Sequence, residues 1–297
     1  MHKDKTKAYL AWISVCIVWG TTYLAIRIGV HDLPPMLFAG LRWILAGAIL
    51  FIFLWIRNYN RPNLNEIIHS GIIGILLLGF GNGLVVFAEQ WIPSGLAALI
   101  ITTVPLWLVL FESLIPQGSK LNLETILGIL LGLVGIILIF SSDIDEFLNT
   151  QNFLVIIAII FAVINWALGT LYSKYRRLNI HPLMSASVQM MIAGSLQVIL
   201  GLILGEISDI HLSNEGILAF FYLIIFGSLF GYAAYIYAIS YLPISLVSTY
   251  AYVNPVIALF LGWLILDETI NSIIMISTIL IFISVTIIKR GADKKQV

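Results

Sequence analysis

The chain has 297 residues; 60% are hydrophobic, 10% are charged, and 15 Lys and Arg balance 15 Asp and Glu. Soluble domains carry about 25% charged residues, and a chain with a mean hydropathy of +1.04 cannot cover itself with polar surface. A water-soluble globule is excluded, and the expected solvent is a bilayer, where a spanning helix needs about 20 mostly apolar residues.

Windows of that length predict ten spans. They run near Ala8–Ile28, Pro34–Ile56, Ile67–Ala88, Ser94–Ile115 and Leu123–Phe140, then near Phe153–Tyr172, Pro182–Leu204, Gly216–Ser240, Ile244–Leu266 and Ile273–Ile288. Short polar links separate them, and nothing outside them is long enough for a soluble domain. The first span follows Lys3, Lys5 and Lys7, as a signal peptide would. Its apolar region is too long for that and no small-residue cleavage site follows, so it is read as retained. It holds the single cysteine, Cys16, which leaves no internal disulfide.

Polar residues inside spans are costly, and they mark either a pathway or contacts between helices. On the first span, Trp19 and Tyr23 share a face. Arg42 lies about 12 Å into the second span at 1.5 Å per residue. On the third, Asn82 and Glu89 share a stripe, and Glu89 lies at a depth compatible with Arg42. Two readings follow for that pair. Either Arg42 bridges Glu89 or snorkels outward, or Arg42 holds an anionic group of a substrate and Glu89, its neutral form favoured by burial, carries a proton. The fourth span has Thr102 and Thr103 beside Pro105, with Glu112 near its inner end. Gly128, Gly132 and Gly135 form a small-residue stripe on the fifth, suited to packing within the chain or to a homodimer contact. The sixth carries Asn165 and Trp166, and the eighth Tyr232 and Tyr235. On the ninth, Ser248 and Tyr252 share one stripe and Tyr250 and Asn254 another, because Asn254 is turned about 200° from Tyr252. Pro255 removes a backbone donor and frees a carbonyl near Ala251, as Pro105 does in the fourth span. Two matched kinks are predicted, with Asn254 and the threonines either repairing them or lining a path.

The chain repeats itself at a shift of about 150 residues, and "FGNGLVVFAEQWIPSGLAALIITTVP" lies over "FGYAAYIYAISYLPISLVSTYAYVNP". Phe80/Phe230, Gly81/Gly231, Ala88/Ala238, Pro93/Pro243, Leu96/Leu246 and Pro105/Pro255 match without a gap, and "WGTTY" has a looser echo in "WALGTLY". Each half holds five spans. Five is odd, so the second half crosses the membrane inverted, a construction of secondary transporters. With both termini in the cytoplasm, Arg27 and Arg42 are the only two of 15 Lys and Arg outside the inner segments. The outer loops are acidic instead, with Asp143, Asp145 and Glu146, then Glu206, Asp209 and Glu215. Loop Lys/Arg bias sets orientation, so both ends are placed inside.

"WGTTYLAIRIGV", "PPMLFAGLRW", "GFGNGLVVFAEQWIPSGLAALIITTVPLW" and "YAYVNPVIALFLGWLILDE" resemble the EamA family of the drug/metabolite transporter superfamily, of the drug/metabolite exporter type, and the resemblance covers all ten spans. It implies an all-α polytopic membrane protein with ten transmembrane helices in two inverted five-helix repeats, 1–145 and 146–297. It also implies export or exchange of small metabolites across the cytoplasmic (inner) membrane. The family often carries a Glu after the fourth helix, as Glu268 stands after the ninth; here that position is Gly118.

No Walker motif, no metal-spaced His or Cys cluster and no nucleophile–base pair is present, so neither an enzyme nor a cofactor is expected. The expected partners are a small-molecule substrate, the lipid bilayer and, as one coupling reading, protons; no nucleic acid is expected. The substrate pathway is expected at Trp19, Tyr23, Asn82, Thr102, Thr103, Asn165, Trp166, Tyr235, Tyr252 and Asn254, with Arg42 and Glu89 as coupling or gating groups and kinks at Pro105 and Pro255. A channel-like facilitator and an intramembrane enzyme are the rival classes.

Overall fold

The computed structural model describes residues 2–91, 97, 100–120, 122–139, 153–176, 178–211, 213–257 and 272–293. Every regular element among them is helical. In chain order these are α1 (His2–Asp32), α2 (Pro35–Ile56), α3 (Leu64–Ala88), α4 (Val104–Leu114) and α5 (Leu123–Ile139). Then come α6 (Phe153–Tyr175), α7 (Pro182–Ile203), α8 (Asn214–Tyr241), α9 (Ile244–Ile257) and α10 (Ser272–Asp293). Six of them, α1, α2, α3, α6, α7 and α8, are long and apolar enough to cross a bilayer. The fourth and ninth predicted spans run partly outside the described residues, as do Pro93, Leu96, Asp143, Asp145, Glu146, Glu268 and the 145/146 boundary between the halves.

Rows of exposed Leu41, Leu45, Ile49, Ile52, Phe53 and Ile56 give α2 an oily outer face, the arrangement expected where lipid is the solvent. Its inner face packs on α7 through glycine. A Cβ on Gly40 would meet the Val198 nitrogen at 2.7 Å and the Gly194 carbonyl at 2.8 Å, and one on Gly194 would meet the Gly40 carbonyl at 2.7 Å. Small residues allow such backbone approach. The Gly128, Gly132 and Gly135 stripe of α5 is used in the same way within the chain, against Ile288, Ser284 and Ile281 of α10. The Ser284 hydroxyl donates to the Gly128 carbonyl at 2.7 Å.

Helix ends use polar residues that a topology reading assigns only to loops. Asn63 and Glu66 form a reciprocal capping box at the start of α3. Glu206, one of the acidic residues of the α7–α8 link, is buried, and its carboxylate accepts from the Leu37 N–H at 2.8 Å and the Met36 N–H at 3.2 Å. It thus caps the positive end of α2. Asp32 accepts from the Ser213 hydroxyl, and its carbonyl from the His211 N–H at 3.0 Å.

The two breaks do not form a matched pair at the prolines. Pro105 stands in the first turn of α4, after a turn at 102–103, where a missing N–H leaves no helix bond unmade. In α9 the break lies at Ser248 and Thr249, nearly two turns before Pro255. The hydroxyls there donate to the Ser245 and Leu246 carbonyls at 3.0 and 2.7 Å. The larger distortions are ones the sequence did not announce. α3 and α8 each contain a π-helical stretch, Ile75–Asn82 and Leu223–Tyr232, ending on the same repeat position.

Candidate functional site

A π-helical stretch widens the helix and shifts its carbonyls, and such bulges gather at functional sites. Here the displaced carbonyls take side-chain donors from other helices. Gln197 Nε2 of α7 donates to the Leu78 carbonyl at 2.9 Å, and Trp19 Nε1 of α1 donates to the Gly227 carbonyl at 3.1 Å. The glycines inside the stretches admit aromatic rings. Trp166 lies over Gly81, and Trp19 over Gly231, so two matched tryptophans seat on two matched glycines of the opposite half.

These rings form the floor of a cavity with about 690 Å³ of atom-free space, counted out to its mouth. Thr22, Tyr23 and Ile26 of α1 line it, with Arg42 and Trp43 of α2 and Gly81, Asn82 and Val85 of α3. Ile101, Val104, Ala162, Val163, Gly227 and Tyr250 complete the wall. At the floor, Trp19 has its ring centre 5.5 Å from Trp166, 5.2 Å from Tyr235 and 5.1 Å from Tyr250. Trp166 Nε1 donates to Tyr235 Oη at 3.1 Å, and Thr170 shares a 2.5 Å hydrogen bond with the same oxygen.

The wall toward α2 is polar. Arg42 is buried; its Nη2 donates to Asn82 Oδ1 at 2.7 Å, and Trp43 Nε1 donates to that oxygen at 3.2 Å. The guanidinium carbon lies 4.3 Å from the Trp43 ring centre, within cation–π reach. Arg42 Nε has no partner among the described residues. The expected Arg42–Glu89 bridge is not formed. Glu89 is 1% exposed, and neither carboxylate oxygen has a hydrogen-bond partner among the described residues. The cations whose fields act on it are Arg27 and Arg42.

Asn254 ties α9 to α1. With its amide assigned so that nitrogen faces carbonyls, it donates to Cys16 and Tyr250 carbonyls, both at 2.9 Å, leaving its oxygen to accept from Tyr23. The carbonyl it satisfies on its own helix is therefore that of Tyr250, not Ala251.

Of the residues singled out in the sequence, Trp19, Tyr23, Arg42, Asn82 and Trp166 line the cavity. Tyr235 closes its floor, and Asn254 braces it from behind. Others lie elsewhere. Tyr252 sits in a separate cluster with Val109, Ile129, Ile136, Ile281 and Ile288, its hydroxyl donating to the Ile129 carbonyl at 3.3 Å. Tyr250 takes its place at the wall, as the stripe shared with Asn254 allowed. Asn165 donates to the Phe161 carbonyl of its own helix at 2.8 Å, and Thr103 to the Ile100 carbonyl at 2.7 Å. Thr102 is buried but is not part of the wall; Ile101 and Val104 face the cavity instead. Sequence reading missed Trp43 and the glutamines of α7. Their signal was available, since Gln189 and Gln197 are polar side chains inside a predicted span.

The model of the EamA-like transporter family matches residues 6–141 and 153–290. The "Uncharacterized inner membrane transporter YedA" of Escherichia coli K12 is 37% identical over 95% of this chain and 90% of its own length. The "Uncharacterized transporter YoaV" of Bacillus subtilis is 26% identical over 93% and 94%. A "Probable amino-acid metabolite efflux pump" of Escherichia coli K12 is 25% identical over 94% and 92%. A solved crystal structure superposes with a TM-score of 0.81 over 97% of this chain and 99% of that one, at 20% identity, a likeness of fold alone.

Proposed function

The chain belongs to the EamA-like transporter family and is a membrane transporter rather than an enzyme, and we propose that it is a secondary carrier that exports or exchanges small amphipathic metabolites by alternating access. One observation carries this reading: a single cavity sets a buried cation, Arg42, across from an aromatic floor. A few placed polar groups in an otherwise apolar concavity are what a small-molecule site requires. Arg42, with an unused Nε donor, suits an anionic or carbonyl group. Trp19 and Trp166 suit an apolar or cationic part. Amino acids and drug-like cations both satisfy that pattern. The two halves, 1–145 and 146–297, are read as inverted repeats, and the Lys and Arg bias of the links and ends supports a reading with both termini in the cytoplasm.

Exchange without ion coupling is the first coupling reading. Proton coupling through Glu89 is the second, and the missing bridge supports it: no hydrogen bond from Arg42 ties up the buried carboxylate, whose two oxygens have no hydrogen-bond partner among the described residues. Proteoliposomes loaded with amino acids, nucleobases, sugars or drugs test the carrier reading by counterflow. Saturable exchange for at least one class is expected, and linear, non-saturating flux would establish a channel instead. Glu89→Gln separates the coupling readings. Proton coupling requires it to keep exchange and lose pH-driven transport, whereas normal pH-driven transport removes Glu89 from that role.

A further inference from the structure

Arg27 and Lys174 stand at the same spacing beyond the repeated tryptophans, Trp19 and Trp166. Glu89 and Ile239 also share a repeat position, each following a matched alanine, Ala88 and Ala238. The structure joins these pairs. Arg27 Nη1 donates to the Glu89 carbonyl at 3.4 Å, and Lys174 Nζ donates to the Ile239 and Leu242 carbonyls, both at 2.6 Å. In each half, a cation on the first helix thus reaches the carbonyl end of the third, where positive charge is favoured.

Both contacts cross the same seam. α1 packs on α8 and α6 on α3, with Trp19 wedged over Gly231 and Trp166 over Gly81. The molecule therefore contains two mixed pairs, α1–α8 and α3–α6, and the cavity has Tyr23 of one pair facing Asn82 of the other. Arg27 links the pairs at the cavity end, and Lys174 links them beyond the aromatic floor. The two ends differ in condition. Lys174 is half-buried with two short bonds, whereas Arg27 is exposed and its bond to Glu89 is long.

We propose that Arg27 and Lys174 are symmetry-related gate latches of the transport reaction, each closing one end of the pathway by drawing its half's first helix onto the end of the third. The inference rests on the carrier reading above. In this structure the Lys174 latch is engaged and the Arg27 latch is slack. In a molecule of two like halves, exchanging the conformations of the halves interchanges the closed and open ends, so Arg27 engages the end of α3 as Lys174 leaves α8. Neither cation touches the cavity; both are positioning residues.

The test reads side-specific accessibility and needs no substrate. Cys16 is replaced by Ser, and single cysteines are placed at Val85 on the cavity wall and at Ile239, whose backbone carbonyl survives the change. Each is labelled with a membrane-impermeant thiol reagent in right-side-out and inside-out vesicles. With both latches intact, Val85→Cys is labelled from one side only and Ile239→Cys is slow. Lys174→Met is expected to speed labelling of Ile239→Cys from the opposite side about fivefold or more and to slow Val85→Cys, a shift of population between two forms. Lys174→Arg is expected to keep the intact pattern, and Arg27→Met to speed Val85→Cys while Ile239→Cys stays protected. Faster labelling at both positions in Lys174→Met marks a static helix cap whose loss loosens the fold, and overturns the proposal. Unchanged labelling at both does the same. If Lys174→Met does not reach the membrane, Arg27→Met decides alone, and unchanged labelling of Val85→Cys overturns the latch. Fast labelling of both cysteines with both latches intact, each from its own side, describes an open pore and removes the carrier reading with it.

Discussion

Tyr250 and Tyr252 are two residues apart on α9, yet one faces the cavity and the other the α5–α10 cluster. Their hydroxyls therefore have different consequences. Tyr252→Phe gives up one long bond to the Ile129 carbonyl, worth about 0.6 kcal/mol for a hydrogen bond between membrane helices, and should leave exchange intact. Tyr250→Ala removes a ring that packs on Trp19 and Tyr235 and should cut exchange about tenfold or more by opening the floor of the site. Counterflow assays of both variants check the contrast. His181 is another residue whose surroundings define its effect. It precedes α7, and its Nδ1 accepts from the Leu183 N–H at 3.3 Å, which requires the neutral ring. Burial holds its pKa below the ordinary 6.5. Stability from this cap is complete above the ordinary value and is lost as pH falls from there through the lower folded value. Thermal unfolding should show a loss of about 1 kcal/mol across that window, the usual worth of an N-cap. His181→Asn, whose cap does not titrate, should flatten it.

The elements meet where side chains are missing. A Cβ on Gly40 or Gly194 would strike backbone atoms of the facing helix, which can yield only if α2 and α7 separate. A Cβ on Gly71 would instead meet the flexible Ile192 Cδ1 at 3.0 Å. Gly40→Ala and Gly194→Ala should therefore each cost about 1–3 kcal/mol, the range for overpacking, and Gly71→Ala much less. Unfolding midpoints in detergent provide the measurement. The π-helical stretches follow the same logic. Gly81 and Gly231 are visible in the sequence as a repeated pair, and a repeated glycine says that something approaches closely. It does not say that the approaching group is a tryptophan of the other half, nor that the helix widens there. Those facts depend on which helices become neighbours, and α1 packs mainly on α8 rather than on α2, the helix that follows it in the chain.

At the scale of the whole molecule, two mixed helix pairs flank one cavity, and the charge of the chain's ends and links is the basis of the proposed orientation. With both termini in the cytoplasm, a cysteine replacing exposed Asn58, in the α2–α3 link, should be labelled only from the cytoplasmic side. One replacing exposed Asp209, in the α7–α8 link, should be labelled only from outside. The reverse pattern would invert the orientation. The acidic links are not simply a topology signal, because Glu206 and Asp32 use their charge on a helix end and on Ser213.

Composition and window hydropathy were enough to determine a helical membrane protein, because in a bilayer backbone groups must be satisfied within each helix or in a closed barrel. The repeated Gly, Pro and Trp positions were enough to announce two like halves. The resemblance to a transporter family was also written in the sequence, at Trp19–Tyr23 and along the run from Gly79 to Trp107. Helical periodicity narrowed α9 to two alternative stripes, and only packing chose Tyr250 for the cavity wall and set Asn254 against α1. Tertiary structure alone decided that Arg42 bonds Asn82 rather than Glu89, and that Asn165 and Thr103 bond their own helices. Partner choice for a buried polar group depends on distances of a few tenths of an ångström between helices far apart in the chain, and no spacing along one helix encodes that.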